Sequence, residues 1–126
     1  MKFPVKSLGE DGDSILLEAV DLGALGASGD LPYQIERYFV LCPGAFLVPL
    51  TAFITTRRRP RGTANAASLM RAAYDGHHAR RAPVRVRPHG PNDYLVEDGN
   101  STVLNAIASA WPDILCVSSS SSGEPC

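Results

Sequence analysis

Apolar residues in the last third of the chain recur at the spacing of a helix. The positions that repeat at intervals of one, three and four are Val103, Leu104, Ile107, Ala108 and Trp111. This period places them on one face of a helix, which is expected to pack against a hydrophobic core. Just before them, the apolar run Tyr94-Leu95-Val96 leads into Asp98. Gly99 allows backbone angles that other residues rarely adopt, and Asn100 is a favoured N-cap. The pattern predicts a strand, a tight turn and a helix over residues 101–111.

A second helix and a second strand are predicted upstream. One apolar helical face contains Ala66, Leu69, Met70 and Ala73. It predicts a helix over residues 64–75, with Gly76 as its C-cap. In residues 84–87 valine and arginine alternate, so the valines face one side of a strand and the arginines share the other. Together these elements predict one α+β domain, a small mixed sheet with flanking helices.

Residues 38–56 carry no charge over nineteen positions and are followed by three arginines, which is also the pattern of a membrane span. A Pro-Gly pair and a second proline interrupt the run and leave two pieces of strand length, residues 38–42 and 45–50. We therefore predict two strands here and no membrane partner.

The remaining segments are distinguished by composition. Glycine and proline punctuate residues 1–46, which are predicted to form a strand and loop layer packed on a core made by residues 47–117. Residues 118–126 are rich in serine and are predicted to be a disordered tail.

Cys42 and Cys116 lie in apolar runs and are predicted to be small core residues. The first residues lack the apolar centre of a signal peptide, which predicts a cytoplasmic protein.

Charge is unevenly distributed, although the formal net charge is only -1. Residues 1–56 carry a net charge of -4, residues 57–91 carry +8, and residues 92–126 carry -5. The basic residues of the middle segment are nine arginines, which suit bidentate contacts to phosphate. A basic groove is predicted from five of them, Arg57, Arg59, Arg61, Arg85 and Arg87. The alternative is a solvated basic face without a ligand.

The turn before the helix over residues 101–111 is a candidate phosphate site. A helix N-terminus presents unpaired backbone N–H groups and the positive end of the helix dipole. Ser101 and Thr102 would add hydroxyl donors. The predicted phosphate-binding residues of this turn are Gly99, Asn100, Ser101 and Thr102. An ordinary capped turn without a ligand is the alternative.

Two motifs follow the predicted helix over residues 64–75. They are the strand Pro83-Val84-Arg85-Val86-Arg87 and the turn Asp98-Gly99-Asn100-Ser101-Thr102. Their order resembles the ParB/sulfiredoxin superfamily, in which a Pro-x-x-Val-Arg strand and an Asp-Gly-x-x-Arg turn precede a further helix. The resemblance covers roughly residues 47–117 and implies that family's fold.

The turn of this chain differs from the turn in two branches of the family. Asn100, Ser101 and Thr102 stand where sulfiredoxins carry a catalytic cysteine and a basic residue, so reduction of a sulfinic acid would lack its nucleophile. Chromosome-partitioning ParB proteins carry an arginine pair that this turn also lacks. The chain is most similar to small members encoded on plasmids or mobile elements.

The resemblance implies a protein that binds nucleotide phosphates, DNA or both. It points to an ATP-dependent DNase or NTPase linked to plasmid or conjugation functions, and it places Asn65 near the phosphate. Asp98 is the candidate catalytic residue, and the alternative is that its carboxylate only hydrogen-bonds the backbone of the turn. Because a carboxylate repels phosphate, ATP or another nucleotide with Mg²⁺ between the two is the expected cofactor. The alternative is a non-enzymatic module that binds DNA or a protein partner through the basic face. The adjacent histidines at 77 and 78 lack a third ligand, so no protein metal site is predicted.

Overall fold

Seven strands form one mixed sheet in the computed structural model, which describes residues 1–119. The strands are β1 (Phe3–Leu8), β2 (Ile15–Val20), β3 (Phe46–Pro49), β4 (Phe53–Thr55), β5 (Val84–His89), β6 (Asp93–Asp98) and β7 (Asp113–Ser118). Their order across the sheet is β2-β1-β4-β6-β5-β7-β3. The helices are α1 (Ile35–Tyr38), α2 (Pro60–Tyr74) and α3 (Asn100–Ala108), and short 3-10 turns occupy Gly23–Leu25 and Leu50–Ala52.

Parallel strand pairs set the positions of the two long helices. β4 runs parallel to β1 and β6, and β5 runs parallel to β7. Parallel neighbours need a crossover connection. The connection from β4 to β6 contains α2, and the connection from β5 to β7 contains α3. The predicted single α+β domain, with a small mixed sheet and flanking helices, is confirmed.

Helix α2 begins four residues earlier than the apolar pattern predicts. Pro60 occupies its first turn, where a missing N–H costs nothing. That turn carries no large apolar side chain, so hydrophobic periodicity could not detect it. At the other end Gly76 has φ 80°, and its N–H donates to the Ala73 carbonyl at 3.1 Å. The C-cap of α2 is Asp75, so Gly76 lies one position beyond the predicted C-cap role, in the left-handed conformation that ends the helix.

Helix α3 is shorter than the predicted 101–111 span. It ends at Ala108 because Ala110 adopts the left-handed conformation, with φ 58°. The chain then turns and brings Trp111 into the core, where its indole N–H donates to the Leu31 carbonyl at 2.8 Å. Trp111 is therefore a core residue, as its spacing predicts, but it lies three positions beyond the end of the helix.

Helices and sheet share one main core. Val84 and Val86 of β5 are buried in it together with Met70 of α2 and Val103 of α3. The alternation predicted for residues 84–87 is confirmed, because Val84 and Val86 are buried whereas Arg85 and Arg87 are exposed. This core supports the sheet end at which β6 meets α3.

The two cysteines have different surroundings. Cys116 of β7 is fully buried in the main core, as predicted. Cys42 is only half-buried and lies outside the core. Its predicted core position is wrong because residues 38–42 do not form a strand. Tyr38 ends α1, and Phe39 makes only an isolated bridge to Arg81.

The uncharged segment 38–56 is divided among short elements. Its second predicted strand, residues 45–50, corresponds to β3, which pairs with β7 at one edge of the sheet. Within residues 1–119, no helix combines the length and the apolar character needed to cross a membrane.

The N-terminal residues extend the same sheet. β1 pairs with β2 in an antiparallel hairpin and with β4 in parallel. Val5 and Leu22 form a second, smaller core with Leu104 of α3. At the other end of the chain, β7 continues to Ser118. The rest of the predicted tail, residues 120–126, lies outside the described residues.

Candidate functional site

The turn between β6 and α3 has a backbone geometry that favours glycine. Gly99 has φ 111° and ψ 20°, which side-chain-bearing residues rarely adopt. A Cβ added there would lie 3.3 Å from both γ-carbons of Val84, so the turn is also packed closely on β5. The Val103 N–H donates to the Gly99 carbonyl at 3.0 Å. The N–H groups of residues 100–102 precede that first bond and have no partner within the helix.

Asn100 joins α3 to the end of β4. Its Oδ1 accepts from the Thr56 N–H at 2.8 Å, and its Nδ2 donates to Thr56 Oγ1 at 3.0 Å. The predicted N-cap role of Asn100 is wrong, because Gly99 holds that position and no side chain caps the helix. Since its side chain is bonded to Thr56, Asn100 would meet a ligand through its backbone N–H.

An open cleft of about 350 Å³ lies where the first turns of α2 and α3 meet the end of β6. Its lining contains eight of the predicted site residues: Arg57, Arg59, Asn65, Asp98, Gly99, Asn100, Ser101 and Thr102. They come from separate parts of the chain, the loop before α2, α2 itself and the turn into α3. We call this depression the phosphate cleft, after the ligand that the sequence predicts for the turn into α3.

Three predicted groove residues do not line the phosphate cleft. Arg61 is exposed on α2. Arg85 and Arg87 are exposed on β5, on the side of the strand away from the buried valines. Arg87 forms an ion pair with Glu97, with 3.0 Å between Nε and Oε1. The five arginines predicted as one groove are thus divided between the cleft and other surfaces.

Arg81 lines the phosphate cleft and was missed as a site residue. Its Nη1 is buried and has no hydrogen-bond partner among the described residues. Burial lowers the pKa of the Arg81 guanidinium, and the Asp98 carboxylate opposes that shift. The sequence shows Arg81 as one more arginine of the basic segment. Only the pairing of this segment with Phe39, described above, places its side chain at the cleft.

The backbone around Arg81 is fixed on both sides. Its N–H donates to the Tyr38 carbonyl at 2.8 Å, and its carbonyl accepts from the Val40 N–H at 2.9 Å. These bonds hold residue 81 against the segment after α1. A buried guanidinium nitrogen without a partner is costly, so a bound anion would stabilise this part of the cleft.

Asp98 is the carboxylate at the mouth of the phosphate cleft. It is the last residue of β6, is exposed, and is the strand partner of Arg85. Glu97 also lines the cleft. The cleft therefore contains both cations that attract a phosphate and carboxylates that repel it, and the arginines outnumber the acids.

A buried amide holds the two helices of the cleft together. Asn105 Nδ2 donates to the carbonyls of Thr63 at 3.0 Å and Ser101 at 2.9 Å, while its Oδ1 accepts from the Ser28 N–H at 2.7 Å. The helices approach closely here, because a Cβ added at Gly62 would lie 3.3 Å from Ser101 Oγ. Asn105 was not predicted as important, because it lies opposite the apolar face of the predicted helix, where the sequence shows no sign that it is buried.

Among residues 1–119, no group of three or more His, Cys, Asp or Glu side chains is placed to hold a metal ion. Comparison of the chain with protein-family models, with curated proteins and with solved structures gives no match. The resemblance to the ParB/sulfiredoxin superfamily therefore stays a prediction from the sequence.

Proposed function

We propose that this protein binds the phosphate groups of a nucleotide in the phosphate cleft. The observation that carries the proposal is Arg81, a cation in the cleft with a buried, unpartnered donor. An arginine has five N–H donors in a fixed fork that matches two phosphate oxygens. A nucleotide phosphate would supply the missing acceptor and the opposite charge.

The rest of the cleft supplies the other contacts that a phosphate needs. Backbone N–H groups of residues 100–102 point out of the N-terminus of α3, where the helix dipole favours an anion. Ser101 adds a hydroxyl, and Arg57 and Arg59 add two exposed cations at the rim. Gly99 adopts the positive φ from which these N–H groups follow at the start of α3.

Replacing Arg81 by glutamine tests the proposal. We expect nucleotide affinity to fall by about 10- to 100-fold, since a hydrogen bond to a charged group contributes about 1.5–3 kcal/mol. The measurement is calorimetric titration of ATP, ADP and CTP, with thermal unfolding in parallel, because a ligand of the folded state raises the melting temperature.

Arg61→Gln is the matched control, because Arg61 is exposed on α2 outside the cleft. It removes the same charge and should leave nucleotide affinity within about 3-fold of the parent. Equal losses in both variants would mean that only the general positive charge matters. No nucleotide binding by the parent protein would overturn the proposed function.

Hydrolysis of the bound nucleotide is the enzymatic form of the proposal, with Asp98 as general base. Mg²⁺ usually binds through one or two carboxylates together with substrate phosphates, and Asp98 and Glu97 offer carboxylates at the cleft. Such an ion would neutralise phosphate charge when bound. The residues of the chain would position the phosphate through Arg81 and the α3 turn, and Asp98 would accept a proton from water.

Replacing Asp98 by asparagine separates binding from hydrolysis. Without Mg²⁺ we expect nucleotide affinity to rise several-fold, because the variant removes a like charge worth about 1 kcal/mol at contact distance in water. Any hydrolysis should fall by about 10²- to 10⁴-fold, the usual contribution of a general base. Titrations with EDTA and phosphate-release assays with Mg²⁺ measure the two effects. A fall in affinity without Mg²⁺ would contradict this placement of the carboxylate.

A non-enzymatic module that binds DNA through the basic face is the second candidate from the sequence. Three cations of the sheet and of the loop before α2 are paired with acids: Lys6 with Asp93, Arg58 with Glu18 and Arg87 with Glu97. Ion pairs of this kind leave less positive charge for a duplex, so the phosphate cleft is the better supported site. A role in plasmid or conjugation functions, a protein partner and a cytoplasmic location stay predictions from the sequence.

A further inference from the structure

The phosphate cleft is one end of a longer depression along α2. A small cavity of about 120 Å³ shares Leu69 and Arg81 with the cleft. That cavity also shares Ala73 and residues 78–80 with a third cavity of about 560 Å³. The three cavities follow one another between α2 and residues 78–81. We call the whole depression the α2 groove.

The far end of the α2 groove is also basic. Arg37 lies over the Tyr74 ring, with 4.9 Å from the guanidinium carbon to the ring centroid. Its Nε donates to the Tyr74 carbonyl at 3.1 Å, and Arg80 Nη1 donates to the Glu36 carbonyl at 3.0 Å. His78 lines the same cavity. The backbone contacts hold both guanidinium groups at the rim, and each guanidinium has further N–H donors beyond them.

The middle of the α2 groove combines apolar and basic side chains. Leu69, which is 42% exposed, and the buried Ala73 are its apolar lining, and His78, Arg80 and Arg81 line the same cavity. The carboxylate at the far end is Glu36, which is exposed and lines the third cavity. A ligand that fits this lining carries negative charge at more than one point along its length and has flat apolar groups that can lie against Leu69.

The length of the groove selects among phosphate ligands. Asn65 lines the near end and Tyr74 lines the far end, nine residues later on the same helix. At 1.5 Å per residue they lie about 14 Å apart along the axis, which equals the rise of about four stacked nucleotides at 3.4 Å each. A mononucleotide carries its phosphates in one group and would satisfy only one basic end.

We propose that the α2 groove binds a short single strand of nucleic acid. One backbone phosphate sits in the phosphate cleft at Arg81, and a second one meets Arg80. The bases lie against Leu69 and against the exposed guanidinium of Arg37, which covers the Tyr74 ring, since unpaired bases stack on guanidinium planes. Paired bases in a duplex would not be open to these contacts. This inference rests on the proposed phosphate site at one end and adds the substrate class.

The test compares Arg80→Glu with its matched control, Arg61→Glu. Fluorescence anisotropy measures binding of an oligothymidylate and an oligouridylate of about four nucleotides, and calorimetry measures ATP. In Arg80→Glu we expect oligonucleotide affinity to fall by about 10-fold or more, and ATP affinity to change by less than about 3-fold. Arg61→Glu should change neither. Arg80→Gln is a second variant that avoids a new charge beside Glu36.

The outcomes separate the two proposals. If ATP binds and Arg80→Glu and Arg80→Gln leave oligonucleotide binding unchanged, the strand proposal is overturned and the proposed function stands. If ATP fails to bind while an oligonucleotide binds and needs both Arg80 and Arg81, the mononucleotide proposal fails and the strand proposal stands. Equal competition by oligoglutamate would overturn nucleic acid as the ligand class. A preference between the thymidylate and the uridylate assigns the strand as DNA or RNA.

Discussion

Replacing Gly99 by valine is expected to abolish nucleotide binding and to lower the free energy of unfolding by about 2–4 kcal/mol. A β-branched residue is strained at φ 111°, and its Cβ would lie 3.3 Å from the γ-carbons of Val84. The turn must shift to relieve both conflicts. That shift moves the N–H groups of residues 100–102, which are the proposed phosphate donors. Urea unfolding and ATP titration of the variant measure the two effects.

Gly90→Val is the control for backbone strain alone. Gly90 also has a positive φ, 72°, but a Cβ there would meet no atom within 4 Å, and the residue does not line the phosphate cleft. It should lose about 1–3 kcal/mol of stability and keep its nucleotide affinity. If Gly99→Val remained folded and bound ATP like the parent, the α3 turn would not be the phosphate site.

Replacing Asn105 by leucine should lower the free energy of unfolding by about 3–5 kcal/mol, the largest loss of stability expected for a single polar side chain here. The side chain is fully buried and bonds to three separate backbone segments. Leucine has a similar size but would leave the part-buried Ser28 N–H without its acceptor and would remove the hydrogen bonds that the amide donates to the Thr63 and Ser101 carbonyls. An orphaned donor costs about 1–3 kcal/mol and each lost hydrogen bond about 0.5–1.5 kcal/mol.

Chemical denaturation of Asn105→Leu measures this loss, and Asn65→Leu is the control for the same exchange at an exposed position on α2. The control should change stability by no more than about 0.5 kcal/mol. Because Asn105 holds α2 against α3, the variant should also bind nucleotide more weakly at temperatures where it is still folded. A stability equal to that of the parent would show that water or the relaxed backbone satisfies these groups.

The phosphate turn was predictable because it is local. Asp98-Gly99 after an apolar run, followed by helical spacing, predicts a strand, a turn and a helix from neighbouring residues alone. The same reasoning failed at Asn100. Its residue type predicts a cap, but the side chain bonds to Thr56, which is 44 positions away in the chain. Local propensity contains no information about that partner.

The basic groove was predicted less well because it depends on distant contacts. Charge counting identified the segment, and strand alternation correctly placed Arg85 and Arg87 on a common exposed face. It could not show that neither of these two side chains lines the phosphate cleft. Nor could it select Arg81, whose position is set by its bridge to Phe39.

By itself, the sequence determined the α+β class, the two long helices, the glycine turn into α3 and the concentration of arginine in residues 57–91. These features depend on periodicity, backbone freedom and composition, all of which are properties of neighbouring residues. Only the tertiary structure decided which arginines meet the turn, that Asn105 joins the two helices, and that the cleft continues along α2. Those arrangements arise when strands and helices distant in sequence pack together, and their contacts are selected by the burial of the whole core.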